Sequence, residues 1–501
     1  MEHVIVIGSG LGGLFCGAIL AKEGYKVKVF EQHCKTGGSL HQFCREGVWF
    51  ETGMHVIGAF QEGGALNRIC SWLGIMDRLR IKPAEDDCFE HFKIGSDGKT
   101  FRYAKGATRF VDTLAKDFPE ERENIRRYVK AIYDMTREVK LYNLEYAELA
   151  NRYSDAFHSS VGDFIASFTD NERLQAVLAL SNTLYDGDRD VTPAFIHAFT
   201  MVCFIEGAAQ FAGGSQQLAN ELAGVITGAG GSVVAANGVT KIEIVDKRVE
   251  YIETADGKRH TADRYISSIH PASLFALLDT AKLQRSYQQR ISSIPNTCSA
   301  FTVYIIFHPK TFPALNYAGY YLDDYSLVWK HNEFSPDTFP TGIMYITPPK
   351  TMNDRHAEKM IVNCMMPFDA VRKWENTTVG NRGAEYEAFK RRCEEQIIQK
   401  LEKVFPDIRS KIKSIYSASP LTIRDYYKQK DGAMYGIKKD CRNMALSKIM
   451  VRTKLNNLLL TGQNINMHGI LGVPLTAVMT CGEIVGYRDL LEKINRGSNA
   501  G

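Results

Sequence analysis

Gly8, Gly10 and Gly13, with Leu11 and Gly12 among them, are followed one helix and one strand later by Glu31. These residue types at this spacing suit a dinucleotide. Glycines allow a turn tight enough for a pyrophosphate, free amides at a helix start face the anion, and an acid at the next strand end accepts from ribose hydroxyls. Such chemistry has to be positioned. The apolar run Val4-Ile5-Val6-Ile7 predicts a buried parallel strand. Leu14, Ala18 and Ala21 predict a helix that stops at Gly24, a residue free to take the left-handed conformation. Val27 to Phe30 then reads as the second strand, ending at Glu31. A glycine pattern alone is weak, but strand, helix, strand and terminal acid in register form a dinucleotide fingerprint. Gly228, Gly230 and Gly231 end a helix and precede a strand, the reverse order, so the chain carries a single fingerprint.

A second cluster follows directly: Glu31-Gln32-His33, then Gly37-Gly38-Ser39, then Phe50-Glu51-Thr52-Gly53-Met54-His55. Glycines here let backbone approach a bulky cofactor closely, which a nicotinamide dehydrogenase does not require. With these residues the chain resembles the FAD-containing amine-oxidase-like flavoproteins, and within them the phytoene desaturase, carotenoid isomerase and retinol saturase group. The resemblance continues through Thr192-Pro193, Gly213-Gly214-Ser215, Ser419-Pro420-Leu421-Thr422 and Gly432-Ala433-Met434-Tyr435-Gly436. It implies an α/β fold with a discontinuous Rossmann-type FAD-binding domain, at 1–80, 205–270 and 441–501, and a second α+β substrate-binding lobe at 81–204 and 271–440. It also implies FAD contacts from Gly8, Gly10, Leu11, Gly12, Gly13, Glu31, Gln32, Gly38, Ser39, His55, the backbone at Val239, and Gly462, Gln463, Asn464, Gly472 and Val473. Asn464 stands where the family pattern has an acid, which keeps hydrogen bonding but removes a charge.

The remaining elements follow from local pattern. Ala212 to Ser215 opens a helix running through Leu222 and Val225, and strands are predicted at Val233–Ala235, Val239–Val245, Val249–Thr254 and Arg264–Ser267, with Asp256-Gly257 as a hairpin turn. Leu458-Leu459-Leu460 reads as a buried strand running into the polar turn Thr461 to Asn464. A helix is predicted after Pro474, through Ala477, Val478, Cys481 and Val485; an amide-rich helix start there suits negative charge on a reduced flavin. Phe195 to Phe211 is apolar nearly all round and predicts a buried helix, either core between lobes or cavity lining. Residues 120–142 predict an amphipathic basic helix, which suits either peripheral docking on an anionic membrane face or an ordinary lobe helix with a solvated face.

Over 501 residues the formal net charge is only +4, with dispersed lysines and arginines, which argues against nucleic acid as a partner. Such a length suggests two to four lobes. Eleven cysteines, with no Cys-x-x-Cys pair and no zinc spacing, predict reduced thiols in a cytoplasmic protein and no metal site. No export signal or membrane-spanning run is read from the sequence.

The substrate implied by the resemblance is an apolar polyene or isoprenoid lipid. The chemistry implied is hydride exchange with the flavin across a carbon-carbon bond, as reduction or, in reverse, desaturation; a redox-neutral isomerisation, an amine oxidase and a non-enzymatic prenyl-lipid escort stand beside it. His55, His468 and Tyr435 are the candidate proton donors, with His55 favoured. With one fingerprint given to FAD, NAD(P)H as external electron donor has to visit the substrate cavity.

Overall fold

The computed structural model describes residues 2–147, 153–279 and 283–497. Its organising element is a five-stranded parallel sheet in the order Leu458–Leu460, Arg264–Ser267, His3–Ile7, Lys26–Phe30, Ser232–Val234. Three distant parts of the chain therefore share one sheet, with Ile5 between Tyr265 and Lys28 in register. Strands buried on both faces need continuous apolar runs, and Val4, Ile5, Val6 and Ile7 are all at most 3% exposed.

The helix Leu11–Lys22 follows the first strand and is buried from Leu11 through Ala21, being apolar all round rather than amphipathic. It packs between the helices Gln216–Gly228 and Gly469–Val485. The first of these contacts depends on Gly17, where a Cβ would lie 2.7 Å from Ile226 Cδ1. Gly24 follows the helix in a left-handed conformation, φ +89°.

Val239–Val245 and Arg248–Thr254 do not join the parallel sheet. With Arg259–His260 they form a separate antiparallel one, while Ser232–Val234 and Arg264–Ser267 join the parallel sheet on either side of the first two strands. A third, seven-stranded sheet has the order Ile412–Ala418, Ser299–Phe307, Lys359–Met366, Gly342–Ile346, Ala318–Leu322, Glu90–Ile94, Thr100–Tyr103. It is antiparallel except where Ala318–Leu322 meets Glu90–Ile94. Strand alternation gives it two faces. Val303, Ile305, Tyr345 and Val362 pack on the helix Ala384–Val404, while Thr302, Tyr304, Tyr320, Met344 and Asn363 face a large cavity.

Three boundaries differ from the sequence reading. The apolar helix is Ala194–Gly207 and stops before Phe211, because Ala209 exchanges backbone hydrogen bonds with Ile57 and Ala209–Phe211 pairs with Ile81–Pro83. The C-terminal helix starts at Gly469, so Pro474 lies inside it. The basic helix is Arg122–Glu138. Its apolar residues Ile125, Tyr128, Val129, Ile132 and Met135 are buried and it packs against Ala194–Gly207, while Arg126 and Arg137 pair with Glu123 and Asp134 on its own surface. That apolar face is already covered by protein, so the helix has none left for lipid. Among the described residues, no helix is long and apolar enough to cross a membrane.

Candidate active site

Where the first strand meets its helix, Gly8 takes φ +91° and donates its amide to Phe30 O at 2.8 Å, tying the glycine turn to the end of the second strand. Glu31 comes next, 9% exposed, with Oε2 accepting from the Ser9 amide and hydroxyl, each at 2.8 Å, and Oε1 from the His33 amide at 2.8 Å. Gly10 caps the helix, and a Cβ there would meet nothing within 4 Å, so the helix start is open to the cavity. Gly13 does not line the cavity. Its Cβ would fall 2.0 Å from Gly8 O, and it serves the close packing of helix on strand.

The other glycine clusters converge on this turn. A Cβ on Gly38 would sit 3.0 Å from Gly10 Cα, and one on Gly12 would sit 2.9 Å from Gly462 Cα and 3.3 Å from a Val473 methyl. Leu11, Gln32, Ser39, His55, Val239, Gln463, Asn464 and Gly472 line the same cavity, of about 1000 Å³. Asn464 is 2% exposed and its Oδ1 accepts from the Ile437 amide at 3.1 Å. The helix Gly469–Val485 begins at His468 without a side-chain cap, and its first residues line the cavity, presenting uncapped amides and the positive end of the helix dipole. Two helix starts and an acid at a strand end, brought within one cavity by glycines that admit no Cβ, suit a flavin dinucleotide.

The three candidate proton donors lie in the cavity wall in different states. His468 Nε2 is 3.3 Å from Leu184 O, and burial pushes the imidazole down to about 4, so at neutral pH it is uncharged with its N–H directed at that carbonyl. Tyr435 donates its hydroxyl to Thr183 O at 2.9 Å, burial raises its pKa, and its ring lies 4.7 Å from that of His468. Both have their hydrogens committed to backbone. His55 Nδ1 lies 3.9 Å from Glu51 Oε2, and neither atom has a hydrogen-bond partner although both are buried.

A fourth group lies outside every sequence motif. His331 lines the cavity, and its Nε2 is 3.2 Å from Asp186 Oδ1, with the two side chains 6% and 3% exposed. Asp186 Oδ2 accepts from the Cys298 amide at 2.7 Å. Burial raises the Asp186 pKa, but the His331 contact, the Cys298 amide and Lys438 outweigh it and hold the carboxyl below the usual carboxylate range. One short loop organises this end of the site: Thr183 O binds Tyr435, Leu184 O binds His468, and Asp186 binds His331. The sole local signal was Asp186-Gly187, a turn dipeptide, and His331 belongs to no motif.

The parallel sheet, its glycine turn and the terminal acid define a dinucleotide-binding α/β protein. The profile of the family described as flavin containing amine oxidoreductase matches residues 11–466, and the chain belongs to that family. All-trans-retinol 13,14-reductase of Rattus norvegicus is 26% identical, over 97% of this chain and 86% of the relative. Prolycopene isomerase 2, chloroplastic, of an Oncidium hybrid cultivar is 24% identical, over 95% of this chain and 82% of the relative. The crystal structure of an oxidoreductase from Methanosarcina mazei superposes with a TM-score of 0.65 at 18% identity, over 95% of this chain and 99% of that one, a likeness of fold. The protein is an FAD-dependent oxidoreductase.

Proposed function

We propose that this enzyme adds hydrogen across one double bond of an apolar polyene or isoprenoid lipid, a retinoid or carotenoid type of molecule. The observation that carries the reading is the cavity. It runs from the glycine turn to the seven-stranded sheet, and away from the cofactor residues its wall is largely apolar and aromatic, including Phe92, Phe199, Tyr304, Tyr320, Met344 and Met365. A hydrocarbon chain gains about 25 cal/mol for each Å² removed from water, which such a wall supplies with few polar contacts. The relatives named for all-trans-retinol and prolycopene support the same substrate class.

Bound FAD would supply hydride for the bond being saturated. Glu31 would hold the ribose, Gly10 and Leu11 the pyrophosphate at their helix start, and Gly462, Gln463, Asn464, Gly472 and Val473 the flavin end, with 1–80, 205–270 and 441–501 as the cofactor domain. The start of the Gly469–Val485 helix would stabilise negative charge on the reduced ring. Residues 81–204 and 271–440 would close the cavity and keep it dry. His55, beside the orphaned Glu51 oxygen, would face the cofactor, while His468 and Tyr435 shape the wall. NAD(P)H is the proposed external donor.

The test is anaerobic mixing of reduced, FAD-loaded protein with all-trans-retinol and with prolycopene. Reoxidation of the flavin by either polyene is expected. Product formation with the flavin still reduced would replace reduction by isomerisation, and no change in polyene or flavin would remove the substrate class.

A further inference from the structure

Saturating a double bond takes a proton as well as a hydride; His468 and Tyr435 have theirs tied to Leu184 O and Thr183 O, and His55, beside the buried Glu51 oxygen, is assigned above to the cofactor end of the cavity. The geometry points to His331 as the catalytic acid that gives this proton, with Asp186 as its positioning residue, an inference that rests on the reading above.

His331 is the member of this pair in the cavity wall, and Asp186 lies behind it. The carboxylate accepts from His331 Nε2 through one oxygen and from the Cys298 amide through the other, so its orientation is fixed at both ends. Val328 O lies 3.5 Å from Nδ1, too far to hold a hydrogen firmly, and is itself held by Asn182 Nδ2 at 2.5 Å, so the hydrogen on Nδ1 is the one left to transfer. Asp186 adopts φ +52°, a left-handed conformation that only surrounding structure keeps in a residue with a side chain. The loop that imposes it is the one whose carbonyls fix Tyr435 and His468, which places the pair at the cavity end beside the Gly469–Val485 helix start. His331 and Lys438 act on Asp186, Lys439 and Asp186 on His468, and Asp186 and Cys298 on Tyr435.

A carboxylate held against an imidazole in an apolar wall costs desolvation energy that binding a hydrocarbon does not repay. Two other buried acid-base groups, His197 and Glu90, are shut away. His197 is enclosed between the hydroxyls of Tyr128 and Tyr185, and Glu90 lies behind Tyr320, outside the cavity lining.

In the step, bound reduced FAD would supply the hydride for a C–H bond at one alkene carbon. The π electron pair takes the proton of His331 to form the second C–H bond at the neighbouring carbon. The π bond, the bond that held the hydride on its donor and one imidazole N–H bond break, the pair of that N–H bond stays on the imidazole, and the two electrons gained by the lipid are those the hydride brings. His331 recovers its proton from solvent between turnovers.

The experiment uses FAD-loaded wild type, His331→Gln and Asp186→Asn with all-trans-retinol and prolycopene as probes. His331→Gln is expected to bind FAD and polyene unchanged while slowing flavin reoxidation by ~10²–10⁴-fold, the range for a positioned general acid. Asp186→Asn is expected to slow it ~10-fold. In ¹⁵N-labelled oxidised holoprotein without lipid, it is also expected to shift the His331 Nε2 signal, because the charged acceptor 3.2 Å away is removed, a readout independent of turnover. An unchanged reoxidation rate in His331→Gln, or a His331 Nε2 signal indifferent to Asp186→Asn, would overturn the assignment. Wild type reoxidised by neither probe would overturn the functional reading and this step with it.

Discussion

Glu90 shows how far this interior departs from water. It is 1% exposed, and burial pushes its carboxyl up to about 7 against hydrogen bonds from Ser181 and Tyr320 that pull the other way. The unfolded chain ionises this group near 4.5, so the fold prefers the protonated form. The stabilisation is full below about 4.5 and is lost as pH rises through about 7, a difference of roughly 3 kcal/mol. Denaturant unfolding of wild type should therefore show stability falling between pH 5 and 8 relative to Glu90→Gln; parallel profiles for the two would contradict this. Glu31 makes the complementary case in the cavity wall. Glu31→Gln removes the charge while keeping an acceptor, and titration of apoprotein with FAD should show affinity weakened ~10-fold, in line with the greater strength of hydrogen bonds to a charged group. Equal affinities would show that the acid does not meet the ribose. Single residues were legible where a motif carried them, as with Gly8, Gly10 and Glu31. His331 and Asp186 were not, because they stand 145 positions apart and only the fold brings them together.

At the scale of elements, glycines decide which helices touch. A Cβ on Gly12 would lie 2.9 Å from Gly462 Cα, and a backbone neighbour cannot swing aside as a flexible side chain can. Gly12→Ala should cost ~1–3 kcal/mol by overpacking and lower FAD retention. Gly224, exposed inside the helix Gln216–Gly228, has nothing within 4 Å of its Cβ position, so Gly224→Ala should instead stabilise by up to ~1 kcal/mol. Thermal unfolding of both variants checks the contrast, and equal destabilisation would contradict it. Most strands and helices around the cofactor were readable because apolar runs and punctuating glycines are local signals. The end of the Ala194–Gly207 helix was not, since the pairing of Ala209 with Ile57 is a tertiary event. Nor was the start at Gly469, where Pro474 reads locally as a helix opening.

At the scale of the molecule, one cavity is walled by the dinucleotide fold, the seven-stranded sheet and the buried helix Ala194–Gly207. Because the cofactor end is assembled from three separate parts of the chain, FAD should act as a staple between them. Free FAD at a hundred times its Kd should add about 2.7 kcal/mol to the unfolding free energy. Melting temperatures that do not depend on FAD concentration would show that the cavity takes no FAD. The most direct test of the whole account is the mass of the lipid after a single anaerobic turnover of reduced holoenzyme with all-trans-retinol in D₂O, where both the hydride position of the flavin and the acid carry deuterium. The account predicts a product with one double bond fewer and two deuterium atoms gained. A product of unchanged unsaturation, with its double bond merely moved or its geometry changed, would contradict it.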